Sequence, residues 1–211
     1  EPLAGARKHL GLPPEVPTLA SMLKDHGYAT ALIGKWHMGW LPQFGPLKSG
    51  YERFFGNLSG GVDYFTHKAS TAPDAPTDLY EGETPVVRHG YYTDLLTEEA
   101  VKYVSQHGQG GADSRPFFLS LHYTAPHWPW EGPEDEAHSA ALRSLGDASG
   151  GNLETYGRMV RAMDKGIGRV LEALDRAGLA DNTVVVFTSD NGGERFSRTW
   201  PLTGQKTELL E

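Results

Sequence analysis

A lysine and a histidine stand one residue apart in the segment Gly34-Lys35-Trp36-His37, directly after a run of apolar residues. Lysine carries a compact positive charge, and histidine exchanges protons near neutral pH. Such a pair can bind an anionic oxygen and move a proton to or from it. The alternative is a solvated lysine beside a hydrogen-bonded surface histidine. Glycines at positions 34 and 39 favour the binding interpretation, because they let the backbone turn closely around a ligand.

Two oxygen-bearing side chains, Asp190 and Asn191, follow another apolar run near the end of the sequence. Carboxylate and amide oxygens suit Ca²⁺ or Mg²⁺ better than a softer metal. An Asn-Gly turn explains the same residues without any metal. Two ligands also fall short of the roughly six to eight oxygens that surround Ca²⁺. For this motif taken alone, both interpretations stay open.

Two further histidines and a lysine need separate interpretations. His127 lies between prolines and tryptophans in the segment 125–130, which would hold its imidazole as a general acid or an anion donor. The same rings could instead pack under a loop. His122, inside the preceding apolar run, is expected to be a hydrogen-bonded core histidine. Lys206, judged by its own surroundings, is an ordinary surface lysine.

Composition limits the class of protein. The 211 residues are 38% hydrophobic and 22% charged, which fits a globular domain. A formal net charge of −8 without a basic stripe disfavours nucleic acid as the main partner. The absence of cysteine excludes disulfides, thiolate zinc sites and a cysteine nucleophile within these residues. No apolar run approaches the ~20 residues that span a bilayer, and the first residues do not resemble a signal peptide.

Three helices, each followed by an apolar run, are predicted from residue periodicity. The first helix runs from Pro17 to His26 and precedes a strand from Tyr28 to Ile33. The second runs from Tyr92 to His107 and precedes Pro116–His122, a strand expected to be buried on both faces. The third begins near Leu153, stops at Gly178 and precedes a buried strand at Thr183–Phe187. The helix faces expected to be buried contain Leu19, Met22 and Leu23; Leu95, Leu96, Val101 and Val104; and Leu153, Tyr156, Val160, Met163, Ile167, Val170, Leu171 and Leu174.

Repeated helix–strand units predict an α/β fold, with a largely parallel sheet and helices on both of its faces. Residues from Trp40 to about His89 are expected to form a long irregular excursion, and Glu131–Gly151 an acidic, exposed stretch. Because ligands bind at the carboxyl ends of parallel strands, the polar residues that follow the strands should converge. These residues are Lys35, His37, His127, Asp190 and Asn191.

Taken together, the motifs resemble those of the sulfatases, the formylglycine-dependent branch of the alkaline-phosphatase-like superfamily. The segment from Gly27 to Gly39 is similar to the second sulfatase signature and is highly specific. The motifs around His127, Asp190 and Lys206, and the segment Gly50–Gly56, follow in the family's order. The resemblance extends from about residue 17 to residue 211 and implies an alkaline-phosphatase-like fold, here incomplete.

The resemblance also implies roles for individual residues. In that family a hydrated formylglycine attacks the sulfur of a sulfate ester, and Ca²⁺ polarises the sulfate oxygens. Asp190 and Asn191 would be metal ligands, and Lys35 would bind sulfate and the oxygen of the nucleophile. His37 would contact the formylglycine hydrate and assist the release of sulfate. The two residues that would bind sulfate and favour departure of the alcohol are His127 and Lys206.

Two family motifs have no counterpart in the sequence: the paired N-terminal aspartates and the Cys- or Ser-x-Pro-Ser-Arg motif that carries the nucleophile. In the family this block precedes the region of Pro17. Residues 1–211 are therefore expected to be the central part of a sulfatase catalytic domain, with an incomplete Ca²⁺ shell and no activity alone. The alternatives are a phosphodiesterase or phosphonate hydrolase of the same superfamily, or a non-catalytic binding domain on this scaffold.

The expected partner is a sulfate ester of a small molecule or a glycan, and the sequence does not identify which ester. Self-association is expected as well, because a missing first strand would expose a sheet edge. The compartment is undetermined, although a periplasmic or secreted location would suit the longer protein. The sequon Asn57-Leu58-Ser59 is short enough to be a chance match.

Overall fold

The computed structural model describes residues 8–108, 111–146 and 151–208. Its strands are β1 (Ala29–Gly34), β2 (Arg53–Gly56), β3 (Tyr80–Glu81), β4 (Thr84–Pro85) and β5 (Phe117–His122). Its α-helices are α1 (Leu19–Asp25), α2 (Tyr92–His107), α3 (Glu136–Ser139) and α4 (Leu153–Arg176). Short 3₁₀ helices occupy Pro46–Ser49 and Ala180–Asn182.

The strands form one sheet in the order β4-β3-β2-β1-β5. β1 pairs in parallel with β2, where Leu32 lies opposite Phe54, and with β5, where Ile33 lies opposite Leu121. β3 is antiparallel to β2 and forms a hairpin with β4. The predicted α/β class is confirmed, and the sheet is mixed: β2, β1 and β5 are parallel, as predicted, and the β3–β4 hairpin adds two antiparallel pairings.

Burial on both faces makes β1 the centre of the fold. All six of its residues are buried, and successive side chains of a strand point to opposite faces. Ala31 and Ile33 join the larger core with residues of α2 and α4, whereas Leu32 joins a second core with Phe54. Residues outside the α-helices pack against this second core, among them Leu12, Trp40, Leu41 and Leu47.

α2 has the bounds that the sequence predicts, and it packs against both the sheet and α4. Leu95, Leu96 and Val104 are buried as expected, while Val101 is half-buried. Part of the glycine run expected to end α2, residues 109–110, lies outside the described residues. Strong agreement between pattern and structure follows because this helix buries one well-defined stripe.

α1 is shorter than predicted, and its expected apolar face is wrong. Leu19 and Met22 are more than half exposed, and Ala20 is the buried residue of the helix. Polar contacts anchor its start instead. Thr18 forms a capping box with Ser21, and the Thr18 hydroxyl donates to the carbonyl of Ser49 at 2.7 Å.

The predicted apolar stripe of α4 is only partly buried, since Leu153 and Leu171 are exposed. The helix instead makes a close approach through a small residue. A Cβ atom on Gly166 would lie 2.4 Å from the hydroxyl oxygen of Thr97 on α2. A search for apolar residues at helical spacing does not detect a contact made by a glycine. The pattern therefore predicted that the large apolar residues near Gly166 form the buried face of α4.

The segment Thr183–Phe187, predicted to be a third buried strand, is wrong. It has no regular secondary structure and pairs with no described strand, and Val184 and Phe187 are 90% and 77% exposed. β-branched residues favour extended backbone, but a strand also needs a partner that completes its hydrogen bonds. The described part of the chain offers this segment no such strand. For a related reason β5 is half-buried rather than buried on both faces, because β1 is its one described neighbour.

The stretch predicted to be irregular, residues 40–90, contributes β2 and the β3–β4 hairpin to the sheet. It also buries Asn57, whose side-chain Nδ2 donates to the carbonyl of Ser59 at 2.7 Å and whose Oδ1 accepts from the Tyr92 hydroxyl at 2.9 Å. The sequon asparagine is therefore fully occupied within the fold. Among the described helices, none is long and apolar enough to cross a membrane.

The expected exposure of Glu131–Gly151 holds for most of its described residues but is wrong for Glu131. Glu131 is completely buried, and the stretch contains the short helix α3. Residues 147–150 of this stretch lie outside the described residues. Acidic composition predicts exposure only when no polar partner is available inside, and Glu131 has one.

Matched leucine substitutions test the assigned core. Leu96→Ala on α2 removes a fully buried side chain and should lower the free energy of unfolding by about 2–5 kcal/mol. Leu153→Ala on α4 removes a 65% exposed side chain and should change it by about 1 kcal/mol or less. Urea denaturation of both variants measures the difference. Equal losses would contradict the described packing.

Candidate anion-binding site at the carboxyl ends of the strands

The site lies where β1, β2 and β5 end together, and a close backbone approach at Gly34 defines its floor. A Cβ atom on Gly34 would lie 1.9 Å from the carbonyl oxygen of His122, and its φ of +119° is unfavourable for other residues. The backbone N–H of Lys35 then donates to the carbonyl of His122 at 3.0 Å, and that of His37 to the carbonyl of Leu58 at 3.1 Å. The chain after β1 is thus held from both sides.

Lys35 provides a partly desolvated positive charge. Its side chain is 16% exposed, and its Nζ lies 3.9 Å from Oδ2 of Asp190. Burial lowers the pKa of Lys35, the positive charge of Lys206 lowers it further, and the Asp190 carboxylate opposes both effects. An anion bound here would replace hydration that the lysine has lost.

His37 has one buried imidazole nitrogen without a hydrogen-bond partner among the described residues. Its backbone adopts a φ of 53°, a left-handed conformation that is uncommon outside glycine and is often found at functional sites. Nε2 is buried and has no hydrogen-bond partner among the described residues. Burial lowers the pKa of His37, with Lys35 and Lys206 as the next causes. The imidazole is therefore neutral near pH 7 and available to a ligand.

His127 is held more tightly. Its Nδ1 lies 2.7 Å from the carbonyl oxygen of Trp128, so in the neutral ring Nδ1 carries the hydrogen and Nε2 is the acceptor. The hydroxyl of Tyr64 donates to the carbonyl of His127 at 2.9 Å. Burial lowers the pKa of His127 to about 4, and the charges of Lys35 and Lys206 contribute in the same direction.

Lys206 reaches the same place from the end of the chain. Its backbone N–H donates to the carbonyl of Gly193 at 2.8 Å, which ties its loop to the Asp190 loop. Its Nζ lies 3.8 Å from Oε2 of Glu194. Lys206 was expected from local sequence to be an ordinary surface lysine, yet its charge acts on Lys35, His37 and His127.

The structure therefore brings Lys35, His37, His127, Asp190 and Lys206 into one electrostatic cluster. Asn191 follows Asp190 on the same exposed loop, where the Ser189 hydroxyl donates to the Asn191 carbonyl. His122 differs from its prediction as a core histidine: it is exposed at the end of β5, with Nδ1 3.0 Å from the Lys35 carbonyl.

The residues that could bind a metal suit Ca²⁺ in kind but not in number. The Asp190 side chain is 72% exposed, and Asn191 adds one amide oxygen. Across residues 8–108, 111–146 and 151–208, no group of three or more acidic, histidine or cysteine side chains could hold a metal ion. Because Ca²⁺ takes about six to eight oxygens, these two residues alone do not form a calcium site.

Two glycines that sequence reasoning missed lie against the histidines. A Cβ atom on Gly60 would be 2.6 Å from Cε1 of His37, and one on Gly61 would be 3.2 Å from Cε1 of His127. The pair Gly60-Gly61 stands out in the sequence as a place for close approach. Which side chains approach it depends on the fold, since His127 is 66 residues away from Gly61.

A family model and individual relatives both relate the chain to sulfatases. The family model described as Sulfatase matches residues 5–210. The chain is 33% identical over 207 residues to Arylsulfatase J of Mus musculus, a match that covers 95% of this chain and 33% of that protein. It is 34% identical over 199 residues to N-acetylgalactosamine-6-sulfatase of Mus musculus, covering 89% of this chain and 35% of that protein.

A solved structure is similar over almost the whole chain. It is described as Ps i-CgsB in complex with k-i-k-neocarrahexaose, with a TM-score of 0.78 and 33% sequence identity. The match covers 97% of this chain and 46% of that one. The chain spans about a third of the length of the curated relatives it matches.

The glycine contact predicts a local effect of one methyl group. Gly60→Ala should push the His37 ring aside, because the added Cβ would clash with its Cε1. The Cε1–H resonance of His37 in an NMR spectrum should shift, while that of His26 stays in place. Gly168→Ala in α4, where a Cβ would meet nothing within 4 Å, is the matched control. An unchanged His37 resonance in Gly60→Ala would contradict the contact.

The clustered charges predict that inorganic sulfate binds more tightly at lower pH. The pKa values of His37 and His127 are both lowered in the free site, partly by neighbouring cations. A bound anion raises them, so binding takes up protons. By linkage, the affinity should rise as pH falls from 7.5 to 5.5, by up to about tenfold per pH unit for each proton taken up.

Titration calorimetry at constant ionic strength measures this dependence. Lys35→Met should weaken sulfate binding at every pH, whereas Lys24→Met on the exposed face of α1 should not. A sulfate affinity independent of pH would show that neither imidazole gains a proton with the anion.

Proposed function

This chain belongs to the sulfatase family, and we propose from that premise that it is the central part of a hydrolase that acts on sulfuric esters. One observation carries the proposal. Lys35 and His37, His127, and Lys206 come from three separate parts of the sequence and converge at the carboxyl ends of the strands in a half-buried cluster. Cations and imidazoles in such surroundings are suited to a small, multiply charged oxyanion.

The two lysines would stabilise the negative charge that develops on the sulfate oxygens as the ester bond breaks. Partial burial makes each interaction stronger than it would be in water. Lys35 is the better placed of the two, because its side chain is the more buried and its backbone is held between β5 and the residues after β2.

We assign His127 the transfer of a proton to the departing alcohol. Its Nδ1 is engaged by the Trp128 carbonyl, so the transferable proton would sit on Nε2. In the free site the low pKa of His127 keeps the ring neutral. A bound sulfate ester would raise that pKa and supply the protonated form at the moment it is required.

We also propose that the complete enzyme uses formylglycine as nucleophile and Ca²⁺ as metal, both held largely by residues outside this chain. When bound, Ca²⁺ would polarise the sulfate oxygens, and Asp190 and Asn191 would supply two of its ligands. His37, whose Nε2 is buried and lacks a partner among the described residues, would exchange a proton with the nucleophile.

The proposed substrate is a sulfate ester of a sugar or of another small molecule. The Trp128 ring lies 4.3 Å from the His127 ring, measured between centroids, and is half-buried. It offers a flat apolar surface beside the proposed general acid, and both sugar rings and aryl groups pack on such surfaces. Relatives described as acting on N-acetylgalactosamine-6-sulfate or aryl sulfates are consistent with either class.

Turnover of an aryl sulfate tests the proposal. The 211-residue chain with Ca²⁺ should give no turnover above the blank, whereas the full-length protein that contains it should release sulfate. In the full-length protein Lys35→Ala should lower kcat/KM by about 10²–10³, the usual effect of losing one donor to a developing oxyanion.

The matched control is Lys24→Ala, which removes an exposed lysine from α1 and should leave kcat/KM unchanged. A phosphodiester and a phosphonate ester assayed in parallel decide between the related hydrolases. Faster turnover of either one by the full-length protein would replace the sulfatase assignment. A folded full-length protein that turns over none of the three would favour the binding-domain alternative.

A further inference from the structure

A buried carboxyl group that the proposed reaction does not use lies four residues after His127. Glu131 is completely buried. Its Oε2 accepts a hydrogen bond from the backbone N–H of Tyr64 at 3.0 Å, and its carboxyl group lies beside that of Asp63, with which it shares a hydrogen bond. No ion pair found in the described ranges involves Glu131. Such a group is costly to bury, so its surroundings call for an explanation.

The residue bonded to Glu131 also contacts the segment that carries His127. The backbone N–H of Tyr64 donates to Glu131, and the Tyr64 hydroxyl donates to the carbonyl of His127 at 2.9 Å. Tyr91 donates its own hydroxyl to the carbonyl of Glu131 at 2.8 Å and stacks on Tyr64 with ring centroids 5.3 Å apart. The segment 127–131 is therefore fastened at both ends to one pair of tyrosines.

This fastening also determines the distance between His127 and the glycine beside it. Tyr64 lies three residues after Gly61, whose backbone faces the His127 ring. Holding Tyr64 against Glu131 therefore holds the 61–64 segment against the imidazole. If Glu131 lost its bond to Tyr64, both segments would gain freedom to separate.

The charge of Glu131 is set by the groups around it. Burial raises the pKa of Glu131 to about 8, and the charge and hydrogen bond of Asp63 and the charge of Asp135 add to this effect, while the Tyr64 N–H bond opposes it. Asp63 accepts from the Ser139 hydroxyl at 2.7 Å, and Asp135 pairs with Arg158 at 2.8 Å. The phenols of Tyr64 and Tyr91 also face it, and burial raises the pKa of both, so they stay neutral.

We propose that Glu131 is a positioning residue for His127, acting through Tyr64 to hold the imidazole against Gly61 and within the cation cluster. An effect of Glu131 on catalysis depends on the proposed function, because it requires that His127 acts in the reaction. The positioning itself is a property of the chain and is measurable without turnover.

Ionisation of Glu131 should lower the stability of the folded chain. The folded-state pKa of Glu131 lies above its ordinary value of 4.5. Its contribution to stability is therefore fully present below about pH 4.5 and is lost as pH rises through about 8. Above that pH the segment would contain a buried charge without a counter-ion among the described residues, and the Tyr64 N–H bond would offset only part of this cost.

Histidine Cε1–H resonances of the 211-residue chain, followed by NMR from pH 3.5 to 9.5, test the proposal. In the native chain His127 should titrate near pH 4 and show a second, smaller inflection near pH 8 as Glu131 ionises. Glu131→Gln keeps an acceptor for the Tyr64 N–H and has no charge at any pH. It should retain the low pKa of His127 and lose the inflection near pH 8.

Glu131→Met has a similar volume but no acceptor. It should raise the pKa of His127 from about 4 toward the ordinary value of 6.5, because the loosened ring gains solvent. The Cε1–H resonance of the exposed His26, which caps the end of α1, should not differ between the variants. If Glu131→Met fails to fold, Tyr64→Phe, which removes only the hydroxyl that donates to His127, should raise the same pKa.

Two results would overturn the proposal. One is a folded Glu131→Met or Tyr64→Phe variant in which His127 titrates as in the native chain. The other is an inflection near pH 8 that persists in Glu131→Gln. Absence of sulfatase turnover by the full-length protein would instead count against the proposed function. It would not change what the titrations show about the positioning of His127.

Discussion

The close approach of β1 to its neighbours at Gly34 is the constraint on which the site depends. A side chain at this position would collide with the carbonyl of His122. With glycine there, the backbone N–H groups of Lys35 and His37 reach carbonyls of the neighbouring chain segments on both sides. Sheet hydrogen bonding thus continues past the end of the strand, and it fixes a cation and an imidazole without relying on their side chains.

The two halves of the cluster are supported very differently. Lys35, His37 and His127 follow paired strands or are fastened to buried tyrosines. Asp190 and Lys206 belong to a region that follows an unpaired, exposed apolar segment. The charges of the two halves nevertheless interact, since Lys206 contributes to the lowered pKa of His37 and of His127. Electrostatic coupling therefore joins the halves, together with the packing of Phe196 against Trp130 in the larger core.

The sequence predicted the elements whose formation depends on residues that are close together in the chain. α2 and β1 were predictable because each buries a stripe or a run of residues that is continuous in sequence. The convergence of Lys35, His37 and His127 followed from parallel-strand geometry, and Lys206 entered only through family resemblance. Thr183–Phe187, Glu131 and Gly60 were mispredicted or missed. In each case the deciding partner is distant in sequence: a strand to pair with, the N–H of Tyr64, or the ring of His37.

The buried amide of Asn57 has a consequence for how the protein is made. Oligosaccharide attachment reads Asn-x-Ser or Asn-x-Thr in a chain that has not yet folded, and the product is bulky and must stay at the surface. In this fold both polar atoms of the Asn57 amide are bonded to Ser59 and Tyr92, with no space for a glycan. A host that modifies nascent chains in its secretory pathway would compete with folding at this asparagine, so a single side chain limits the choice of expression system.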